Sequence, residues 1–224
     1  MNLIIDMNKI AILGTGNVGD TIGSKLIELG YSVAMGSRTI NNEKALEFVT
    51  KHKGKASAGT FADSAAYGEI IFNCTKGIGS IEALRMAGEN NLRDKIIVDI
   101  SNPLDFSKGM PPSLTISNTN SLGEEIQKTF RSTKVVKALN TMWCGLMVNP
   151  SLLNNGDHNT FLSGNDSQAK EKVKNILISF GWDEHNILDL GDITTARGTE
   201  MYLALWLRVL GALNTGTFNL KIIR

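Results

Sequence analysis

The apolar run at residues 9–13 ends at Gly14-Thr15-Gly16-Asn17-Val18-Gly19, and behind it Val18, Ile22, Leu26 and Leu29 recur at helical spacing. Residues 32–35 form a second apolar run, so the stretch as far as Arg38 predicts strand, glycine turn, helix and strand. The alternation continues. Residues 42–52 predict a second helix, residues 55–58 a short strand, and Thr60 the cap of a brief helix through Ala66. Residues 69–74 predict a core strand followed by the loop 75–79 and a helix through Ala87. Residues 95–99 predict another buried strand, ending at Ser101-Asn102-Pro103.

Residues 104–112 break this rhythm with Gly109, Pro111 and Pro112, as a loop covering a site would, and residues 114–117 predict a strand. Ser121 and Glu124 have the spacing of a capping box and start a helix to Phe130. Residues 134–139 predict a strand ending at Asn140-Thr141, and strands at 159–162 and 186–190 flank a helix at 167–180. After Gly191 come one long helix, whose apolar stretch 201–213 is expected to be buried, and a tail from Asn214. Repeated units of this length specify an α/β fold, a Rossmann-type doubly wound parallel sheet, over residues 1–190. Residues 191–224 then form a small C-terminal helical segment.

Composition narrows the function classes. A chain of 224 residues, 42% hydrophobic and 20% charged, can bury one large core with or without an appendage. Lys and Arg total 23 against 22 for Asp and Glu, so no basic field points to nucleic acid or a membrane surface, and the ligands are expected to be small. Cys74 and Cys144 lie in apolar runs, which predicts reduced thiols in a cytoplasmic protein. Residues 1–8 lack the layout of a secretory signal, so no export is expected. The stretch 201–213 is interrupted by Arg208 and is too short to span a bilayer.

The first unit predicts a dinucleotide site. Gly14 permits a tight turn, Gly16 lets the backbone approach a pyrophosphate, and Gly19 with Gly23 lets the helix lie close on the sheet. Free N–H groups at the helix start then face the phosphates. Where an NAD site usually carries an acid, this chain has Gly36-Ser37-Arg38, a hydroxyl and a guanidinium suited to a 2'-phosphate. NADP is therefore expected over NAD. The turns at Gly14, Thr75, Ser101 and Asn140-Thr141 all follow core strands and are expected to converge on one crevice. Thr75, Lys76 and Asn102 are assigned to the ribose and nicotinamide region, with ordinary turn chemistry an equal alternative for each.

Acid–base and metal candidates are sparse. His52, His158 and His185 stand in no nucleophile or carboxylate pattern and read as surface residues; no metal-ligand spacing is present. Lys137 within a strand and Lys76 in a loop are the possible proton donors, Lys76 the better placed. Hydride transfer between two flat redox rings makes little demand for a side-chain acid, which suits this inventory better than ketone reduction does.

These residues resemble the NADP oxidoreductases dependent on coenzyme F-420, an 8-hydroxy-5-deazaflavin. The resemblance is carried by residues 14–19 and 36–38, Asp99-Ile100-Ser101-Asn102-Pro103-Leu104, and the run from Val135 to Thr141. It continues at Leu188-Asp189-Leu190-Gly191, Ala196-Arg197 and Glu200. It implies NADP bound with Thr15, Gly16, Asn17 and Val18 at the pyrophosphate and Ser37 and Arg38 at the 2'-phosphate. Deazaflavin would lie against the nicotinamide in a cleft bordered by the segments at Asn102 and Asn140-Thr141. Arg197 would meet an anionic part of the second substrate or pair structurally with Glu200. Members often form homodimers, so a homodimer is the expected assembly, with residues 191–224 at the substrate cleft or the dimer contact. The expected partner is a small-molecule redox substrate. The competing readings are an NADP-dependent reductase of a small carbonyl or imine compound, and a non-catalytic module that senses NADPH/NADP.

Overall fold

The computed structural model describes residues 9–223, so the expectation about residues 1–8 lies outside the described residues. The first half repeats strand and helix: β1 (Lys9–Leu13), α1 (Asn17–Glu28), β2 (Ser32–Ser37), α2 (Glu43–Lys51), β3 (Ala56–Thr60) and α3 (Phe61–Tyr67). β4 (Ile70–Asn73), α4 (Gly77–Ala87), α5 (Glu89–Leu92) and β5 (Ile96–Asp99) follow. Local chemistry sets the boundaries. Asn42 accepts the Ala45 N–H at the start of α2, and Thr60 and Asp63 form a reciprocal capping box on α3.

The region 104–114 forms a two-residue antiparallel pairing of β6 (Leu104–Asp105) with β7 (Ser113–Leu114), three residues short of the strand expected to reach 117. Then come α6 (Leu122–Thr129), β8 (Lys134–Ala138), α7 (Cys144–Val148), β9 (Thr160–Gly164), α8 (Ser167–Ser179) and β10 (Ile187–Asp189). The chain closes with α9 (Ala196–Met201) and α10 (Leu203–Leu213).

The main sheet has the order β10-β9-β8-β5-β4-β1-β2-β3. Six strands from β8 to β3 are parallel, as the doubly wound reading requires, while β9 pairs antiparallel with β8 and carries β10 with it. The link from β8 to β9 holds the five-residue α7 and two short 3-10 turns, Pro150–Leu152 and Asn154–Gly156, rather than one crossover helix, and the chain re-enters the sheet from the end at which β8 left it.

Strand alternation splits the core into two layers. Ile10, Ile12, Phe72, Val98 and Val136 pack with Ile22 and Leu26 of α1, Phe48 of α2, Leu146 of α7 and Val173 of α8. Ala11, Leu13, Ile71, Ile97 and Val135 face the other way, onto Ala65 of α3, Leu84 of α4 and Ile126 of α6. Strands covered on both faces read as continuous apolar runs, which is why they were visible in the sequence.

Two apolar assignments are corrected. The stretch 201–213 is not a buried helix: it breaks at Tyr202, and within α10 only Leu203 is buried while Leu205 and Leu213 are exposed. His158 is not on the surface. Its Nε2 bonds the Pro150 carbonyl at 2.9 Å, its Nδ1 meets Asn219 Nδ2 at 2.7 Å, and its ring stands edge-on to Trp182. Among the described residues no helix is long and apolar enough to cross a membrane.

One buried ionic cluster joins the C-terminal helices to the sheet. Lys137 Nζ lies 2.7 Å from Asp99 Oδ2 and 2.7 Å from Glu200 Oε1, and donates to the Ser101 carbonyl. Glu200 in turn accepts the Leu122 and Gly123 N–H groups at the start of α6, at 2.7 and 3.0 Å. Burial by itself would lower the Lys137 pKa, but the two carboxylates outweigh it and raise it. Lys137 is thus a fixed ammonium, not the proton donor that its place in the sequence allowed. Removing it strands two carboxylates in the interior, so Lys137→Ala is expected to cost about 3–5 kcal/mol in urea unfolding. A loss below about 1 kcal/mol would show that the triad is not a structural tie.

Candidate functional site

The neighbours β1 and β4 mark the point where the strand order reverses, and their C-terminal ends open a crevice. Gly14 adopts φ 118° and donates its N–H to the Gly36 carbonyl at 3.0 Å. A Cβ there would stand 2.7 Å from the Cys74 carbonyl oxygen, so only glycine lets the two turns approach. At Gly19 a Cβ would meet the Gly14 oxygen at 2.0 Å, whereas at Gly23 it would strike the Phe48 ring at 2.8 Å. Gly19 therefore seats α1 against the turn and against Ile12 of β1, and Gly23 seats it against Phe48 of α2 and Met35 of β2, so both let the helix lie close on the sheet.

Gly16 differs from these. It precedes α1 in an extended conformation with no side chain capping the helix, and a Cβ built there would meet nothing within 4 Å. The leading N–H groups of a twelve-residue helix thus face open space. That space is a cavity of about 490 Å³ walled by Gly14, Thr15, Gly16, Ser37, Arg38 and Thr75, with Phe61, Ile78 and Met86 on its apolar side. Arg38 is exposed and makes no ion pair among the described residues. The Ser37 hydroxyl donates to the Thr39 carbonyl and would have to turn to donate to a phosphate. Uncapped N–H groups, open space at Gly16 and an unpaired guanidinium fit a dinucleotide phosphate.

A second cavity of about 310 Å³ adjoins the first along residues 74–78. Val18, Ile100, Leu104 and Phe106 give it apolar walls, and Lys76, Ser101 and Asn102 its polar edge. Leu104 and Phe106 come from the loop expected to cover a site. The dividing segment is held from beneath. Asn73 accepts the Thr75 hydroxyl at 2.7 Å and donates to Asp99 at 2.9 Å, and Thr75 lies 2.8 Å from the Ser80 hydroxyl. Thr75 thus borders both cavities with its hydroxyl committed to the loop. Only glycine fits at position 77, because a Cβ there would lie 1.9 Å from the Asn102 carbonyl oxygen.

Asn102 and Asn140 exchange two hydrogen bonds of 2.9 Å, side chain to side chain and side chain to backbone. Leu139, at φ 59°, makes the turn that delivers Asn140 to this pairing, at a cost of about 1–2 kcal/mol. Asn140 and Thr141 are buried and form no part of either cavity's lining. Cys74 borders both cavities, and its thiol is pushed well above its ordinary pKa, first by burial and then by the Asp99 carboxylate.

Arg197 stands apart from this site. Its guanidinium binds the Glu124 carboxylate, Nε at 2.8 Å and Nη2 at 2.5 Å, and holds Glu124 below the usual carboxylate range. The pairing with Glu200 expected from helical spacing is thereby corrected, since Glu200 turns inward to Lys137. Sequence reasoning missed Phe61, Ile78, Met86, Leu104 and Phe106. Their signal was apolar side chains beside turns, visible only once Ile78 and Phe106 were found exposed.

Comparison with known proteins bears on the family and the fold. Residues 9–103 match the family described as NADP oxidoreductase, coenzyme F-420-dependent. The chain is 50% identical to the solved structure of a candidate F-420-dependent NADP-reductase from Arthrobacter sp. FB24, over 96% of this chain and 99% of that one, with a TM-score of 0.91. It is 27% identical to metalloreductase STEAP3 of Rattus norvegicus over 86% of its own length, and spans 36% of that protein. A reductive aminase from Aspergillus terreus solved with NADPH and ethyl levulinate shares the fold, at 16% identity and a TM-score of 0.64 over 92% of this chain and 63% of that one.

The glycines separate structural from ligand constraints. Gly16→Val is expected to leave the thermal midpoint nearly unchanged, since nothing in the protein meets the new side chain, and to abolish nucleotide binding in a fluorescence titration. Unchanged binding would remove this turn from the site.

Proposed function

This chain belongs to the coenzyme F-420-dependent NADP oxidoreductases, and from that premise we propose that it exchanges a hydride between NADP(H) and coenzyme F-420 or a similar flavin-like ring. The observation that carries this reading is the pair of adjoining cavities, one with the features of a dinucleotide phosphate site and the other walled by apolar side chains. The nicotinamide supplies the hydride chemistry when bound. In this reading Thr15 and Gly16, which wall the larger cavity, meet the pyrophosphate together with the backbone of Asn17 and Val18 at the start of α1, although Val18 lines only the smaller cavity and Asn17 neither, and Arg38 with a re-aimed Ser37 holds the 2'-phosphate. Thr75, Lys76 and Asn102 border the ring region, where Asn140 fixes Asn102. The residues then act by orienting two rings and excluding water, with Phe106 and Leu104 as the apolar cover.

A second reading rests on Lys76. It borders both cavities and its ammonium has no ion pair among the described residues, so it is placed to protonate a small carbonyl or imine compound during NADPH-dependent reduction. We also propose residues 191–224 as a segment through which two copies meet, supported by the exposed Leu205 and Leu213 of α10.

Loss of F-420 absorbance with NADPH as donor, and slower loss with NADH, is the expected result for the first reading. Bound NADPH with turnover only of carbonyl or imine compounds would favour the second, and tight binding without any turnover would favour a sensor. Arg38→Ala is expected to weaken NADPH by roughly 1.5–3 kcal/mol and to leave NADH little changed in equilibrium titrations. Equal losses for both would refute the 2'-phosphate assignment. For the assembly, the double variant Leu205→Glu, Leu213→Glu is expected to convert a dimer to monomer in sedimentation velocity; a wild type that sediments as a monomer sinks the proposal.

A further inference from the structure

The triad beneath the crevice carries an unbalanced charge. Each acidic side chain is ringed by donors: Asp99 accepts from Asn73 Nδ2, the Ser101 N–H and hydroxyl and Lys137, and Glu200 accepts from the Leu122 and Gly123 N–H groups and Lys137. The cluster thus sets two carboxylates against one ammonium. The side chains of all three are 0 or 1% exposed. The interior therefore holds one net negative charge, softened by hydrogen bonds and the α6 N-terminus but not cancelled.

That charge is not remote from the site. Asp99 accepts from the Ser101 hydroxyl at 2.6 Å, and Ser101 lines the smaller cavity. Its field also reaches Cys74, which lines both cavities and whose thiol it helps to keep protonated. The two redox forms of a nicotinamide differ by one charge: the oxidised ring is a pyridinium cation, the reduced ring is neutral. A buried negative charge close to such a ring favours the cation.

We propose that the buried Asp99–Lys137–Glu200 triad tunes the cofactor electrostatically, favouring NADP+ over NADPH at this site and so making bound NADPH the stronger hydride donor. Asp99 acts through the field and through Ser101, as a positioning and tuning residue. The inference rests on the reading that NADP(H) occupies the crevice. Lys76 at the rim opposes it, but an exposed ammonium is screened by solvent and salt while the triad is not.

The test is the ratio of two dissociation constants measured by equilibrium titration, which needs no acceptor. The wild type is expected to bind NADP+ at least as tightly as NADPH; NADPH held tenfold or more tighter overturns the proposal. Asp99→Asn removes one charge at similar size and is expected to raise the Kd for NADP+ relative to that for NADPH by roughly 3- to 10-fold, the effect of one charge through partly solvated protein. Glu200→Gln, farther along the triad, is expected to shift the ratio in the same direction by less, and serves where Asp99→Asn does not fold. A folded variant that binds both forms with the wild-type ratio overturns the tuning role while leaving the dinucleotide site in place. A wild type that binds neither form refutes the site reading and the tuning with it.

Discussion

The contact on which the rest depends is the salt bridge between Lys137 and Asp99, inside the sheet and extended by Glu200. It crosses adjacent strands, since Lys137 stands opposite Asp99 in the β5–β8 register. An ion pair in such a place is a poor source of net stability, because desolvation offsets most of the attraction. Its value is registry. The ammonium can be satisfied only when β5, β8, the Ser101 turn and α9 are all in place, so elements from distant parts of the chain are forced into one arrangement.

The crevice inherits its shape from that arrangement. Asp99 holds Asn73 and Ser101, Asn73 holds Thr75, and Asn102 is locked to Asn140. The turns approach so closely that Gly14 and Gly77 have no room for a side chain. Rigid turns around open space suit a site that must hold its ligands in a fixed geometry. Of the glycines in the first turn, Gly16 alone has free space beside it, and that space is the cavity.

The two cavities divide the work by chemistry. Charge and backbone donors gather around the larger, where Arg38 stands unpaired and α1 begins uncapped. Apolar side chains from α1, β5's exit and the 104–106 turn gather around the smaller. A polar anchoring end and an apolar reacting end suit a cofactor held by its phosphates and a partner recognised by its flat surface.

The local rules were legible without coordinates. Buried parallel strands read as apolar runs, caps at Thr60 and Ser121 marked helix starts, and Gly14 to Gly19 with Ser37-Arg38 pointed to an NADP-type turn because the backbone demands there are local. Only the tertiary structure decided what depends on distant partners. Glu200 and Arg197 lie one helical turn apart, yet they pair with Lys137 and Glu124 because α6 and the sheet pack between them. The antiparallel direction of β9 and the exposure of Leu205 and Leu213 on α10 were likewise visible only in the packed structure. Hydrophobic pattern and turn chemistry act over a few residues and so are written in order along the chain; which buried charge meets which is settled by packing, where sequence distance has no meaning.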